Sequence, residues 1–224
     1  MSNIILKSDK NVPQYLCSEC SRCSSLFGLS LCSKHDRGCC WYFPKFTLYE
    51  IHKMVKSKAG LALLDRILKL PKVEVYNYYI HAVGYFDEDA YNKFINSDEH
   101  KKYNVNDKTI FFRECPFIKE NCGCTIEPQY RSYVCNFFIC DEVLNTVKNN
   151  PEYDSYIKER ENFARWVDWE NTSIQIMLEE QKLTLAHNME QVIEILKEIP
   201  LEQYEFPTIK PVSERALECA LEPA

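Results

Sequence analysis

The sequence predicts a mainly α protein with minor β, in which an irregular cysteine-rich, metal-binding core packs on helices and antiparallel helices close the C-terminus. Three observations predict this class. Apolar residues recur at helical spacing at Leu48, Ile51 and Val55, at Leu61, Leu64, Ile67 and Leu68, and through most of the chain after Asn150. Strand-like alternation is short wherever it occurs. Cysteines crowd two stretches that the helical pattern skips, six from Cys17 to Cys40 and five from Cys115 to Cys140.

The size is that of one domain, or a domain with an appendage: 224 residues, 46% of them hydrophobic, enough to build a core without covalent staples. We divide the chain into a cysteine-cluster metal-binding domain at 1–140 and a helical extension at 141–224 packed on it, or a single domain overall. Charge divides at the same place. From Asp141 onward there are 18 acidic and 8 basic residues; the first 140 hold 15 of the 33 acidic and 19 of the 27 basic groups. No Lys/Arg stripe alternates with aromatics, so no nucleic-acid partner is expected.

Taken in order, Ile4-Ile5-Leu6 is an apolar run too short for a signal-peptide core, and no stretch approaches the ~20 apolar residues that span a bilayer. A cytoplasmic protein is expected. Thr47-Leu48-Tyr49-Glu50 is a capping box that starts a helix running to about Ser57. Gly60 allows a break, and a second helix ends before Pro71. Val73 and Val75 begin a strand across 72–80. Asp87 caps a short helix carrying Ala90, Tyr91, Phe94 and Ile95. Thr109 to Phe112 reads as a strand that delivers Cys115. Pro128 opens a helical turn that places Cys135 and Phe138 near one face. A helix is expected over 141–149. Asn150-Pro151 caps a longer one with the stripe Tyr153, Ile157, Phe163, Val167, Ile174 and Leu178. A last helix runs from about Thr184 to Pro200 with Met189, Val192, Leu196 and Ile199. Residues 201–224 pack loosely or fray.

The thiols carry the functional signal. In a reducing compartment, twelve cysteines argue for thiolates on metal rather than disulfides. Cys17, Cys20 and Cys23 form a C-x2-C-x2-C triplet, the spacing of the first three ligands of a bacterial ferredoxin cluster, without its fourth. Cys32, Cys39, Cys40, Cys115, Cys124, Cys135 and Cys140 complete the candidate metal ligands. His35 reads as a solvated loop histidine, Cys219 as a free thiol and Cys122 as a spare ligand. Soft thiolates suit an iron–sulfur cluster and zinc alike. Adjacent cysteines tend to point apart, which lets two metal atoms of a cluster take Cys39 and Cys40 one each and gives the cluster a slight preference.

The pieces Gly38-Cys39-Cys40, Phe46-Thr47-Leu48-Tyr49-Glu50-Ile51, Cys115-Pro116-Phe117-Ile118, Gly123-Cys124-Thr125-Ile126 and Arg131-Ser132-Tyr133-Val134-Cys135-Asn136-Phe137 occur in an order that resembles the YkgJ-like cysteine-cluster family. That bacterial group is described as zinc- or iron-chelating. The resemblance spans about 32–140. It implies chelation by Cys39, Cys40, Cys115, Cys124 and Cys135, with Cys140 often matched. Two positions depart from the pattern. Asp36 stands where the family usually has a Cys, and Ser132 stands where its Arg is usually followed by Pro. Cys32, or the Cys17, Cys20 and Cys23 group, is the candidate replacement ligand. A more distant similarity links the double-Cys and Cys-Pro-Phe motifs to flagellin lysine-N-methylases, which are larger.

Three function classes follow. The first is a cysteine-cluster protein that binds iron–sulfur or zinc and serves metal handling or electron transfer. The second is an iron–sulfur-dependent enzyme that modifies protein side chains. The third is an interaction protein with a purely structural metal, whose acidic C-terminal helices bind a protein partner. No nucleophile–base constellation and no glycine-rich phosphate loop supports the second.

Overall fold

The structure is a computed structural model and describes residues 4–9, 12–17, 23, 25–32, 37–119 and 123–208. It is mainly α with minor β, as the periodicity predicts. The chain opens with a hairpin of β1 (Ile4–Asp9) and β2 (Val12–Cys17), which pairs Ile4 with Cys17. In the sequence only the apolar run Ile4-Ile5-Leu6 marks this hairpin.

A three-stranded antiparallel sheet follows, in the order β3 (Lys45–Thr47), β5 (Tyr79–Ala82), β4 (Val73–Val75). The single strand expected across 72–80 is therefore two strands. The chain reverses between Val75 and Tyr79, where the Tyr76 N–H donates to the Tyr79 carbonyl at 2.9 Å. Helix α1 (Leu48–Val55) leaves β3 through the expected capping box, with the Thr47 N–H donating to Glu50 Oε2 at 2.6 Å. Helix α2 (Lys58–Leu68) starts at Ser57, whose hydroxyl oxygen accepts from the Gly60 N–H. The break thus precedes Gly60, which is helical. Gly60 is needed for close approach, because a Cβ there would lie 2.1 Å from the Met54 carbonyl oxygen.

Asp87 caps α3 (Glu88–Ile95) as expected, accepting from the Ala90 N–H. The strand expected over 109–112 is instead a 3₁₀ turn, Lys108–Phe112. Asp107 accepts from the Thr109 N–H and starts the turn, and Ile110, Phe111 and Phe112 are buried. Phe111 and Phe112 offer their carbonyls to the Leu31 and Asp87 N–H groups. Only then does the chain extend, as β7 (Arg113–Glu114) paired with β6 (Tyr85–Phe86). A second short hairpin joins β8 (Ile118–Lys119) to β9 (Gly123–Cys124).

The remainder is helical: α4 (Tyr133–Asn136), α5 (Asp141–Val147), α6 (Pro151–Glu180) and α7 (Leu185–Glu198). Asn150 caps α6 through the Glu152 N–H, and Thr184 caps α7 through the His187 N–H. At the start of α6 the most buried residue is Tyr156, with Tyr153 and Ile157 half-buried beside it. Residues 201–208 do not fray. Tyr204 and Phe206 pack on Phe163, and the Tyr204 hydroxyl donates to Glu159. Among the described residues no helix is long and apolar enough to cross a membrane.

Three apolar clusters result. The first joins β3, β5, α1 and α2 to Ile174, Leu178, Leu185, Val192 and Leu196 of α6 and α7. The second joins Tyr49 and Phe137 to Val143, Val147, Tyr156, Phe163 and Val167. The third gathers Phe94, Ile110, Phe111 and Phe112, with Phe27, Leu31 and Trp41 against them. The first two draw on both sides of Asp141.

One pH dependence follows from α1. His52 is buried, its Nδ1 has no partner among the described residues, and its Nε2 lies 3.3 Å from the Ile199 carbonyl oxygen. Burial, aided by the Lys56 ammonium and opposed by backbone carbonyls, lowers its pKa to about 4. An unfolded histidine titrates near ~6.5. The unfolded chain therefore takes up a proton that the folded one refuses, and stability falls as pH drops from 6.5 towards 4, by at most about 1.4 kcal/mol per pH unit. Urea midpoints at pH 7 and pH 5 should differ less in His52→Gln than in the wild type.

Candidate metal centre

The first thiols are presented by a tight turn. Gly38 has φ of +55°, a conformation that glycine adopts without strain. The Cys40 N–H donates to the Arg37 carbonyl at 3.2 Å and the Trp41 N–H to the Cys39 carbonyl at 2.9 Å. The Cys39 side chain hydrogen-bonds the Cys40 thiol. This corrects the expectation that the adjacent cysteines point apart, and it removes the preference for a cluster drawn from that expectation.

The second segment is pinned to the first, because the Cys115 N–H donates to the Cys40 carbonyl at 2.9 Å. The chain then turns through Pro116 and Phe117, and β8 pairs Ile118 with Cys124. The Thr125 N–H and hydroxyl both donate to the Phe117 carbonyl, at 2.8 and 3.0 Å. Cys115 and Cys124 thus bracket one small hairpin, and both pack against the first apolar cluster. The Ile126 N–H approaches Cys124 Sγ at 3.5 Å, an N–H···S contact of the kind that supports a thiolate.

Cys135 comes from α4. The helix is held at its start by Glu50, which is 1% exposed and whose Oε1 accepts the Tyr133 N–H at 3.0 Å. At its end the Asn136 amide donates to the Pro128 carbonyl at 2.8 Å. Helix α4 also runs alongside β2, which ends at Cys17. Phe138 lies beyond α4, edge-on to Phe27 and Trp41.

The thiols feel one another. The Cys40 pKa is lowered to about 7, first by the hydrogen bond with Cys39 and then by the Arg131 and Arg37 guanidiniums, against the cost of burial. Burial pushes the Cys115 thiol up to about 12, with Cys40, Cys124 and Glu114 adding to the shift. Surrounding protein raises Cys135 as well, and Cys115, Cys124, Cys40 and Glu50 raise it further. Cys135 is nonetheless an exposed residue, so solvent screens part of the push from its neighbours. Cys40, Cys115, Cys124 and Cys135 therefore share one Coulombic neighbourhood, with Cys39 beside Cys40.

The other candidates stand differently. Cys32 is buried, hydrogen-bonds Arg37 and lies 2.9 Å from Ser30 Oγ. Cys23 pairs with Ser25 at 2.9 Å and packs on Gly28. Cys140 starts α5 and packs against the second cluster. The Cys17 side chain, and Cys20, His35, Cys122 and Cys219, lie outside the described residues. Of the eight thiols described, none is in a disulfide.

The donor set fits a soft cation. Deprotonating four neighbouring thiols is opposed by their mutual repulsion, and a thiophilic metal reverses that sign. Two arginines near Cys40 offset part of the remaining negative charge. Among the described residues, no three His, Cys, Asp or Glu side chains close into a ready coordination sphere. Ligation, with metal–sulfur bonds of ~2.3 Å, would require the segments to draw in.

Neither the role of Arg37 nor the Glu50 bridge to Tyr133 is visible in the sequence. Arg37 adjoins the Gly38-Cys39-Cys40 triplet, but nothing in a sequence shows a buried arginine. Glu50 was read only as a helix cap. Trp166 packs on Tyr49, Phe163 and Tyr204, whereas Trp169 is exposed. Compared with known family models, curated proteins and solved structures, the chain matches none.

Proposed function

We propose that this protein binds a thiolate-ligated metal centre, an iron–sulfur cluster or zinc, and serves metal handling or electron transfer in the cytoplasm. The observation that supports it most is the gathering of Cys40, Cys115, Cys124 and Cys135, from three segments far apart in sequence, so that each raises or is raised by another. A packed core has no need of four thiols placed where their ionised forms repel one another. The motif order that resembles the YkgJ-like proteins points the same way. Cys40, Cys115, Cys124 and Cys135 are the proposed ligands, with Cys39 the nearest alternate.

The metal supplies either a redox centre or a structural and transferable cation. The chain's own residues bind and orient it: Glu50 holds α4, the Cys40 carbonyl holds the Cys115 segment, and Arg37 and Arg131 offset charge. The exposure of Cys135 leaves one side of the group open, which suits transfer better than a purely structural role.

Protein purified without oxygen tests the proposal. A broad visible absorption band with stoichiometric iron and sulfide identifies a cluster, and a colourless protein with stoichiometric zinc identifies zinc. Protein that holds neither, even after reconstitution, rejects the proposal.

A further inference from the structure

Arg37 is only 2% exposed, and it is held on several sides. Its Nη1 donates to the Gly38 carbonyl at 2.7 Å, and its Nη2 donates to the carbonyls of Leu29 at 2.7 Å and Ile110 at 2.8 Å. Those bonds close the stretch before the double cysteine onto the 3₁₀ turn that precedes Cys115. Its Nε–H has no partner among the described residues. The guanidinium also hydrogen-bonds Cys32 and lies within Coulombic range of Cys40 and Cys39. Its own carbonyl accepts the Cys40 N–H.

We propose that Arg37 is a positioning residue of the thiolate centre, which holds Cys32 outside the metal's ligand set and fixes one positive charge behind the Cys39–Cys40 turn. This rests on the metal-binding reading above. The chemistry requires an arginine. Four thiolates around a divalent ion, or around a cluster, leave net negative charge in a poorly solvated place. Arginine stays charged when buried, and its planar fork can serve several carbonyls and a sulfur at once. A lysine ammonium has three donors and no such fork. The orphan Nε–H is a buried donor that a sulfur acceptor would satisfy.

The test uses metal-loaded protein and chelator-driven release. Arg37→Met should release metal at least about tenfold faster than the wild type, the rate equivalent of ~1.4 kcal/mol, and Arg37→Lys should fall between them. Cys32→Ser should keep full metal content. In the double variant, removing the group that Arg37 pairs with should recover part of the lost retention, which a merely structural Arg37 does not predict. Loss of metal in Cys32→Ser, or a double variant no slower than Arg37→Met, overturns the proposal. If Arg37→Met does not fold, Arg37→Lys and Cys32→Ser carry the test. Should the wild type hold no metal, the metal-binding reading fails separately, and melting temperatures of the same variants still read the pair. Non-additive losses support a coupling of residues 32 and 37, and additive losses reject it.

Discussion

Glu50→Ala will destabilise the protein by about 3 kcal/mol or more, among the largest effects expected of any single substitution outside the thiols. Glu50 is nearly fully buried and accepts from the Thr47 N–H, the Thr47 hydroxyl and the Tyr133 N–H. Alanine leaves two backbone donors unsatisfied in the interior, each costing about 1–3 kcal/mol. The loss is also specific in place, because Tyr133 begins the helix that carries Cys135. Metal content should therefore fall along with stability. Glu50→Gln keeps the shape and one acceptor oxygen, and should cost roughly half as much. Urea denaturation with metal analysis on the same samples checks this. A stable Glu50→Ala protein with full metal content would show that α4 is held by something else.

Removing the metal will loosen the cysteine segments first. On the proposed ligation, Cys40 and Cys135 are joined across 95 positions (135 − 40), so the metal would close a long loop and contribute directly to folding. Without it, 37–40 and 115–140 keep a few backbone hydrogen bonds and the burial of Phe117, Ile126, Tyr130 and Phe137, and Cys115 and Cys135 are protonated. Helices α6 and α7 are different: they bury Phe163, Val167, Ile174, Leu178, Val192 and Leu196 in apolar clusters built largely from other helices, although Phe117, Ile126 and Phe137 of the thiol segment reach into them. Hydrogen exchange with and without chelator should show protection lost in the thiol segments and retained through much of Pro151–Glu180. The outcome has a second side, because α1 belongs to both main clusters and Tyr49 binds Asn171 through its N–H at 2.8 Å. Uniform loss across α6 and α7 would mean that the metal holds the whole chain together.

Much of the helical frame was legible because it rests on local signals. The capping box at Thr47 and Glu50, the Asp87 cap and the Asn150-Pro151 start are local chemistry, and each appears where its residues predict. The short strands were not legible to the same degree. Lys72 to Ile80 reads as one strand, alternating and then aromatic, and only the pairing of Val75 with Ile80 shows that it folds back on itself. Thr109 to Phe112 has strand composition, but Asp107 and burial of Phe111 and Phe112 favour a 3₁₀ turn. Tertiary context overrode propensity there. At the site, thiol spacing named the cysteines, while their grouping depends on distant carbonyls and on Arg37. The hydrogen bond between Cys39 and Cys40 depends on the positive-φ turn at Gly38, which general rotamer expectations do not include.

The claim on which the account depends is that Cys40, Cys115, Cys124 and Cys135 hold metal together. Differential alkylation tests it most directly: native protein is labelled before and after chelation, and each cysteine is read by mass spectrometry. The account predicts that these four thiols are protected as a group in metal-loaded protein and become reactive together on chelation. Reactivity of the four that is the same with metal present and removed, or protection confined to other cysteines, would contradict it.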